Sequence, residues 1–562
     1  MKTAVKLRVL STGASLDSKF SCGANPGPES HLSEFLQWLS GAWAKNALYA
    51  LLAAILFFNG CSGSQGGGSA SGSSASYISE SAQSENTVTR VYSADNLTAE
   101  DRAVFIVSSQ QKEKDPSFNY AVSSSKQLPA YNMFVKDIIS SAPEEIKDID
   151  IDLIKYGEFI NKAVGANNKD IKSKKVYSEG DEENFHILLN GSTFDTCGAK
   201  CYKAGVHCYI FIDTASEKIL DPDRAVLAGN IAKAFDSDNS PFDPGCGIYD
   251  KTRSYCGSEP NPGIDGDSKI FILISPKLGS KLYGYFYSLD EIDAANSNKK
   301  EIIYANDDIF SGNMYNGLAT LAHEFSHLIN YNMKFKIGGS FEETFISEGS
   351  AVLCEKLNGF TLEGTKDYSG NGYILRSIDT FLKSPSSFYF FYWNKDYGAG
   401  FLFMTYIMER YGVEVFKNIQ KSDKTGTDNI ESCTNTSFSE LFTEWMLVNY
   451  YSGLNGSPVL PSGSTRAKYD NFNPKGKYEG YSARDNGAVE SYVLGGIGFK
   501  PGIVLSSAPG NQTIGQYSCN YFEIIPAESA GSVSFTYTSK SEYSTYSNFI
   551  IEKPAGTFYS AQ

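Results

Sequence analysis

The stretch LATLAHEFSHLIN, Leu318 to Asn330, carries His323-Glu324-Phe325-Ser326-His327 inside an apolar run. Leu318, Leu321, Ala322, Phe325, Leu328 and Ile329 recur at three- and four-residue spacing, which predicts a helix with one buried face. His323 and His327 are four positions apart, so they stack on a single helix face, as two imidazoles must to bind one zinc ion. Glu324 lies about 100° round the helix, placed to take a proton from a water at the metal without itself ligating. Only five His occur in 562 residues, so an H-E-x-x-H match by chance is rare.

Catalytic zinc ordinarily has three protein ligands. Asn330 and Met333 stand where the longer metalloprotease motif has Gly and His, so the third ligand is not a His on this helix. A carboxylate from a second helix is expected instead, and FEETFISEGS, Phe341 to Ser350, lies just downstream. Glu348 follows His327 at a distance that allows a helix end, a turn at Gly338-Gly339 and a return helix. Glu342, Glu343 and Glu355 are its rivals; each also suits an acidic first turn or a solvated helix face, and Glu355, two turns beyond Glu348 on the same face, also suits a partner that supports a ligand.

LATLAHEFSHLINYN, followed by FISEGSAVLCE and then DYGAGFLFMTYIMERYG, resembles the hyicolysin family of neutral zinc metallopeptidases, part of a larger group whose third zinc ligand is Glu. GYFYSLDEIDAANSNKKEIIYAND, Gly284 to Asp307, is also similar, and the likeness runs from about Lys269 to Gly412. It implies Glu348 as third ligand. Phe345-Ile346-Ser347-Glu348-Gly349 resembles the W-L-N-E-G sequence of thermolysin-like and aminopeptidase-like enzymes, with Phe345 for Trp and Ser347 for Asn. The resemblance further implies Zn2+ as cofactor and an α+β, zincin-like catalytic domain: a mixed sheet, the H-E-x-x-H helix and a helical lower half. Tyr397-Gly398-Ala399-Gly400 is similar to the Y-x-x-G of aminopeptidase-like relatives, which implies Tyr397 as a stabiliser of the oxyanion. With 36 Tyr in the chain, an ordinary helix-start aromatic is the plain alternative.

Around this centre five regions are expected: 1–60, 61–85, 86–185, 186–455 and 456–562. In the first, Ala47 to Phe58 reads ALYALLAAILFF, too short for a membrane span of about 20 residues but suited to the apolar core of a secretory signal. It ends at Phe58-Asn59-Gly60-Cys61, which resembles a relaxed lipoprotein signal, so export and a lipid on Cys61 are expected, anchoring the chain to a bacterial envelope. Residues 1 to about 40 fit a misassigned start. Ser62 to Ser76 holds seven Ser and five Gly, the composition of a flexible tether.

Next, TVTRVYS and RAVFIVSS read as strands and YNMFVKDIIS as a helix. FHILLNG, YIFIDTAS and KIFILIS continue the strand pattern, with the helix DRAVLAGNIAKAFDS between the last two. Beyond about Tyr451, short runs such as YFEIIPAE and GSVSFTYTS, broken by Gly and Pro, predict a C-terminal β-rich, sandwich-like domain.

The chain has 49 Lys+Arg against 64 Asp+Glu, a net charge of −15, and no basic cluster, which argues against nucleic acid as a partner. An even number of cysteines, 197, 201, 208, 246, 256, 354, 433 and 519, follows Cys61; outside the cytoplasm that suggests disulfides, with Cys246 and Cys256 a local pair. A zinc knot of Cys197, Cys201, His207 and Cys208 is the weaker alternative. The expected activity is a zinc endopeptidase acting on extracellular proteins, with Glu324 as general base. An aminopeptidase would need an acidic G-x-M-E-N-like grip on the substrate amino terminus, and no such stretch precedes the motif. A surface adhesin retaining the fold is the non-enzymatic alternative.

Overall fold

A computed structural model describes residues 75–124 and 175–561 with breaks, the longest at 125–174, 361–374, 386–396 and 494–509. The apolar run before Cys61, Cys61 itself, the tether up to residue 74, YNMFVKDIIS and the Gly338-Gly339 turn lie outside the described residues.

The described residues are mixed α and β. Four strands come first: β1 (Ala75–Ser84), β2 (Thr87–Leu97), β3 (Arg102–Ser109) and β4 (Ser117–Ser124). Then come β5 (Glu182–Leu189), β6 (Thr193–Ala204), β7 (Cys208–Asp213), β8 (Ile270–Ser275), β9 (Gly284–Phe286) and β10 (Ile302–Asn306). Beyond the helices lie β11 (Lys477–Tyr481), β12 (Val489–Val493), β13 (Gly510–Thr513), β14 (Cys519–Ile524), β15 (Gly531–Lys540), β16 (Thr545–Glu552) and β17 (Phe558–Ala561). Among the described residues the helices of nine residues or more are α1 (Asp221–Asp236), α2 (Ile248–Cys256), α3 (Met314–Asn330), α4 (Thr344–Leu357), α5 (Tyr397–Tyr411), α6 (Val413–Lys421), α7 (Gly426–Thr434) and α8 (Phe438–Tyr451).

The central sheet has the order β5-β6-β7-β8-β10-β9; β7, β8 and β10 run parallel and the rest pair antiparallel. Its three parallel strands are apolar on both faces, as a sheet covered on two sides requires. Ile210, Ile212, Ile272, Ile274, Ile303 and Ala305 point to one face, where α1, α2 and α3 cover them. Tyr209, Phe211, Phe271, Leu273, Ile302 and Tyr304 alternate to the other. The same alternation separates the cysteines. Cys197 and Cys201 join the second face and Cys208 the first, so they do not converge on a zinc knot, and the His207 ring stacks on Tyr249 at 4.0 Å.

The two ends of the chain form shared sheets. One has the order β1-β2-β15-β4-β13 and the other β14-β3-β16-β17. Phe105 of β3 stacks on Phe535 of β15 at 3.8 Å between ring centroids, which joins the sheets face to face. The Thr89 and Thr538 hydroxyls share a 2.8 Å hydrogen bond across 449 positions. The sequence reading set these strands in separate regions, 86–185 and 456–562, and took residues 61–85 as tether, yet Ala75–Ser84 pairs with β2. Period-two patterning reveals a strand but not a partner so far away along the chain.

The helical half packs against this pair of sheets: Tyr521 donates from its hydroxyl to the Met446 carbonyl at 2.8 Å, and its ring stacks on Tyr450. Gly412, at φ +90°, ends α5 through a 2.9 Å bond from its N–H to the Met408 carbonyl and opens α6 at once. Only glycine takes that backbone conformation without strain. Among the described residues no helix is long and apolar enough to cross a membrane.

Candidate metal centre

Leu318, Leu321, Ala322, Phe325, Leu328 and Ile329 are all fully buried, as their spacing predicts. Phe325 alone meets Phe235 of α1 and Tyr249 of α2. With that face fixed against the sheet and its helices, the His323 and His327 side chains project from α3 with their Nε2 atoms 3.0 Å apart. The chain then passes through a π-helical turn, Tyr331–Ile337, before α4 returns against α3.

Helix α4 brings Glu348 to the histidines. Its Oε2 lies 3.3 Å from His323 Nε2 and 3.4 Å from His327 Nε2. All three residues are buried, and one ligand atom from each lies within 4.8 Å of the others. Both Glu348 carboxylate oxygens are buried and, among the described residues, have no hydrogen-bond donor. A buried carboxylate so placed is expensive unless a cation answers it. Two imidazoles and one carboxylate are also the donor set of a catalytic zinc site with an open position, so these residues fit the metal.

The outer nitrogens of the two rings are held as well. His323 Nδ1 lies 2.8 Å from Glu355 Oε1, and His327 Nδ1 lies 3.2 Å from Ser347 Oγ. The Glu355 carboxylate can only accept from His323 Nδ1, and Ser347 Oγ can accept from His327 Nδ1, so both partners suit rings that turn Nε2 toward the shared point and hold each ring's orientation. Ser347 escaped the sequence reading. Glu355 was a rival for the ligand position, and its geometry gives it the orienting place instead. Its two-turn offset from Glu348 along α4 was the available signal.

Electrostatics follow from this crowding of charge. Burial pushes the Glu348 carboxyl up, but His327 and His323 outweigh it and hold it well below the usual carboxylate range. Burial pulls His323 down, and Glu348 and Glu355 more than reverse that. The imidazole therefore holds its proton strongly, and a metal bound at this point would have to displace it. Burial pushes Glu324 up to about 7 against the pull of both histidines. One of its oxygens, Oε2, has no hydrogen-bond partner among the described residues, which leaves it available to a substrate or water.

The close approach of two glycines completes the site. A Cβ on Gly349 would sit 2.5 Å from the Gly400 carbonyl oxygen, so only glycine at this position lets α5 cross α4 so tightly. That crossing carries Tyr397, the first residue of α5, to 6.4 Å from the His323 ring between centroids. Gly284 of β9 does the same beside Glu324: a Cβ there would lie 3.2 Å from the Glu324 Cγ. Thus His323, His327, Glu348, Glu324 and Tyr397 gather in one place.

Glu342 and Glu343 do not join them. The Glu342 carboxylate meets Lys334 Nζ at 3.0 Å and accepts from the Gly426 N–H and Asn429 Nδ2, both at 2.7 Å. Glu343 is the residue at the N-terminal boundary of α4. Gln420 of α6, also unforeseen, donates to Ser350 Oγ at 2.8 Å and ties α6 to the ligand helix.

No family model matches the chain. It is similar to Neutral metalloprotease ShpI of Staphylococcus hyicus, 24% identical over 274 residues, which cover 42% of this chain and 57% of that protein. The chain thus spans a little over half the length of that curated relative. A distant metalloprotease relative and a buried His-His-Glu cluster together point to a metallopeptidase.

Proposed function

We propose that the chain is a zinc-dependent endopeptidase of the hyicolysin type, with His323, His327 and Glu348 as metal ligands. The observation that carries this reading is the convergence of three buried donors beside an unpartnered Glu324 oxygen. When bound there, zinc supplies Lewis-acid polarisation of the scissile carbonyl and acidifies water. Glu324 Oε2 takes the proton of the attacking water and later returns it to the departing amine, a role suited to a carboxyl with pKa near the working pH. Glu355 and Ser347 hold the two imidazoles in their ligating tautomer. Tyr397, at the mouth of α5, donates from its hydroxyl to the oxyanion of the tetrahedral intermediate.

Export and a lipid on Cys61 complete the proposal, and their support is the apolar Ala47–Phe58 run, the Cys and the Ser/Gly stretch after it. Extracellular proteins are then the substrate class. Metal analysis of the purified chain, with casein hydrolysis measured before and after chelation and zinc return, tests the reading. Stoichiometric zinc and hydrolysis that disappears with the chelator are expected. Zinc without hydrolysis of any protein would leave the adhesin, and hydrolysis confined to amino-terminal residues the aminopeptidase.

A further inference from the structure

Cys256 and Cys354 form a cluster that the hydrolytic chemistry does not use. Cys256 is the last residue of α2 and Cys354 lies in α4, 98 positions later, and both are at most 1% exposed. Their sulfurs are 2.9 Å apart, less than 1 Å beyond the ~2.04 Å of a disulfide bond. The two helices are also held in register beside them. Asn358 Nδ2 donates both to Thr252 Oγ1 of α2 at 3.0 Å and to the Cys354 carbonyl at 2.9 Å. The approach of the sulfurs is therefore a property of the helix packing. The expected local pair is not formed: Cys246 Sγ instead lies 3.7 Å from the Gly247 carbonyl.

We infer that Cys256 and Cys354 form a structural disulfide that ties the ligand-bearing helix α4 to α2 in the oxidised protein. The oxidant is a disulfide donor, acting while the chain folds and the thiols are still accessible. One cysteine thiolate attacks the donor disulfide, giving a mixed disulfide and releasing one donor thiolate. The second cysteine, deprotonated, attacks the chain's sulfur in that mixed disulfide and releases the other. Two electrons and two protons pass to the donor, which leaves as a dithiol or as two thiols. Once closed, the bond is shielded from reductant by the same burial that now covers both sulfurs. Glu355, which orients His323, is the next residue after Cys354, so the cross-link anchors the turn of α4 that supports the metal site.

The inference stands apart from the metal reading and is tested without it. The full chain, folded in a glutathione–glutathione disulfide buffer, is denatured without reductant, alkylated and digested. A Cys256–Cys354 linked peptide that vanishes on prior reduction is expected. The denaturation midpoint of the oxidised parent should fall on full reduction, while a Cys256→Ala/Cys354→Ala variant loses that difference. Alkylation of both residues in the unreduced sample, or a link from either to another cysteine, overturns the inference. Should the double variant fail to fold, the peptide map of the parent decides alone.

Discussion

One buried charged cluster is anchored in the π-helical turn at the end of α3 and another lies between α3 and α4, and they are built on opposite principles. At Lys334–Glu342 every charge is answered within the chain. Lys334 Nζ donates to the carbonyls of Ser422 and Lys424 at 2.9 Å each and pairs with Glu342, which accepts three further donors. At His323–His327–Glu348 the carboxylate oxygens have no hydrogen-bond donor among the described residues, and two imidazole nitrogens face the same point. Satisfaction makes the first a clamp, and its lack in the second is what the proposed metal site rests on. An unanswered oxygen is not sufficient alone. Glu291 also has oxygens without a hydrogen bond, but Lys336 Nζ lies 2.5 Å away and neutralises it.

The sharpest break of this comparison is to truncate one carboxylate from each cluster. Glu348→Ala should lose zinc and hydrolysis together, beyond the roughly 10- to 100-fold typical of residues that only orient a ligand. Glu324→Gln should keep its zinc and lose activity by about 10³-fold, since the base is gone while the donors remain. Metal analysis after dialysis, with kcat/KM on a casein peptide, reads both. Full zinc in Glu348→Ala, or parental hydrolysis by Glu324→Gln, would contradict the assignment.

Glu342→Ala should act on stability instead. It strands the Lys334 ammonium, which is 1% exposed, and removing one partner of such a pair costs about 3–5 kcal/mol. The urea midpoint should fall while the folded fraction still binds zinc stoichiometrically. Replacing Lys334 and Glu342 together by Met and Leu should recover much of the loss. A Glu342→Ala protein with unchanged midpoint but no zinc would reverse the roles of the two clusters. Between these extremes lies Glu355→Ala, expected to weaken zinc affinity by about 10- to 100-fold, read by competition with a chromogenic chelator.

The sequence disclosed the H-E-x-x-H helix because two periodicities coincide there: the apolar stripe that buries α3 and the four-residue step between its histidines. Glu348 needed the resemblance to separate it from Glu342, Glu343 and Glu355, since all four are glutamates within reach of a return helix. What separates them is what they touch, and sequence does not record contacts such as Glu342 with Asn429, 87 positions away. The central strands were legible from their apolar runs, and RAVFIVSS is β3 to the residue. Its pairing with β14 and β16 was not, because each lies more than 400 positions on. Cys256 likewise has its neighbour in a helix that follows the whole H-E-x-x-H motif, beyond the reach of spacing rules for nearby cysteines.

The smallest expected effect is a change of slope with pH, and it extends the comparison to a third buried carboxylate. Glu301 is 2% exposed, accepts one hydrogen bond from the Ile264 N–H at 2.8 Å, and has no close ion pair among the described residues. Burial, reinforced by Glu291, pushes its carboxyl up to about 8. Between the ordinary Glu value of about 4.3 and that raised value, the folded protein binds more protons at this site than the unfolded chain. Its contribution to stability therefore declines as pH rises through this window and is most favourable below it. Glu301→Gln keeps an acceptor for Ile264 and removes the titration, so urea midpoints measured from pH 5 to pH 8 should fall less steeply than in the parent. Asp290, raised to about 7 by burial, still titrates in the variant, so part of the slope remains. A variant whose midpoint falls as steeply as the parent's would mean that Glu301 is answered by a charge as fully as Glu342 is.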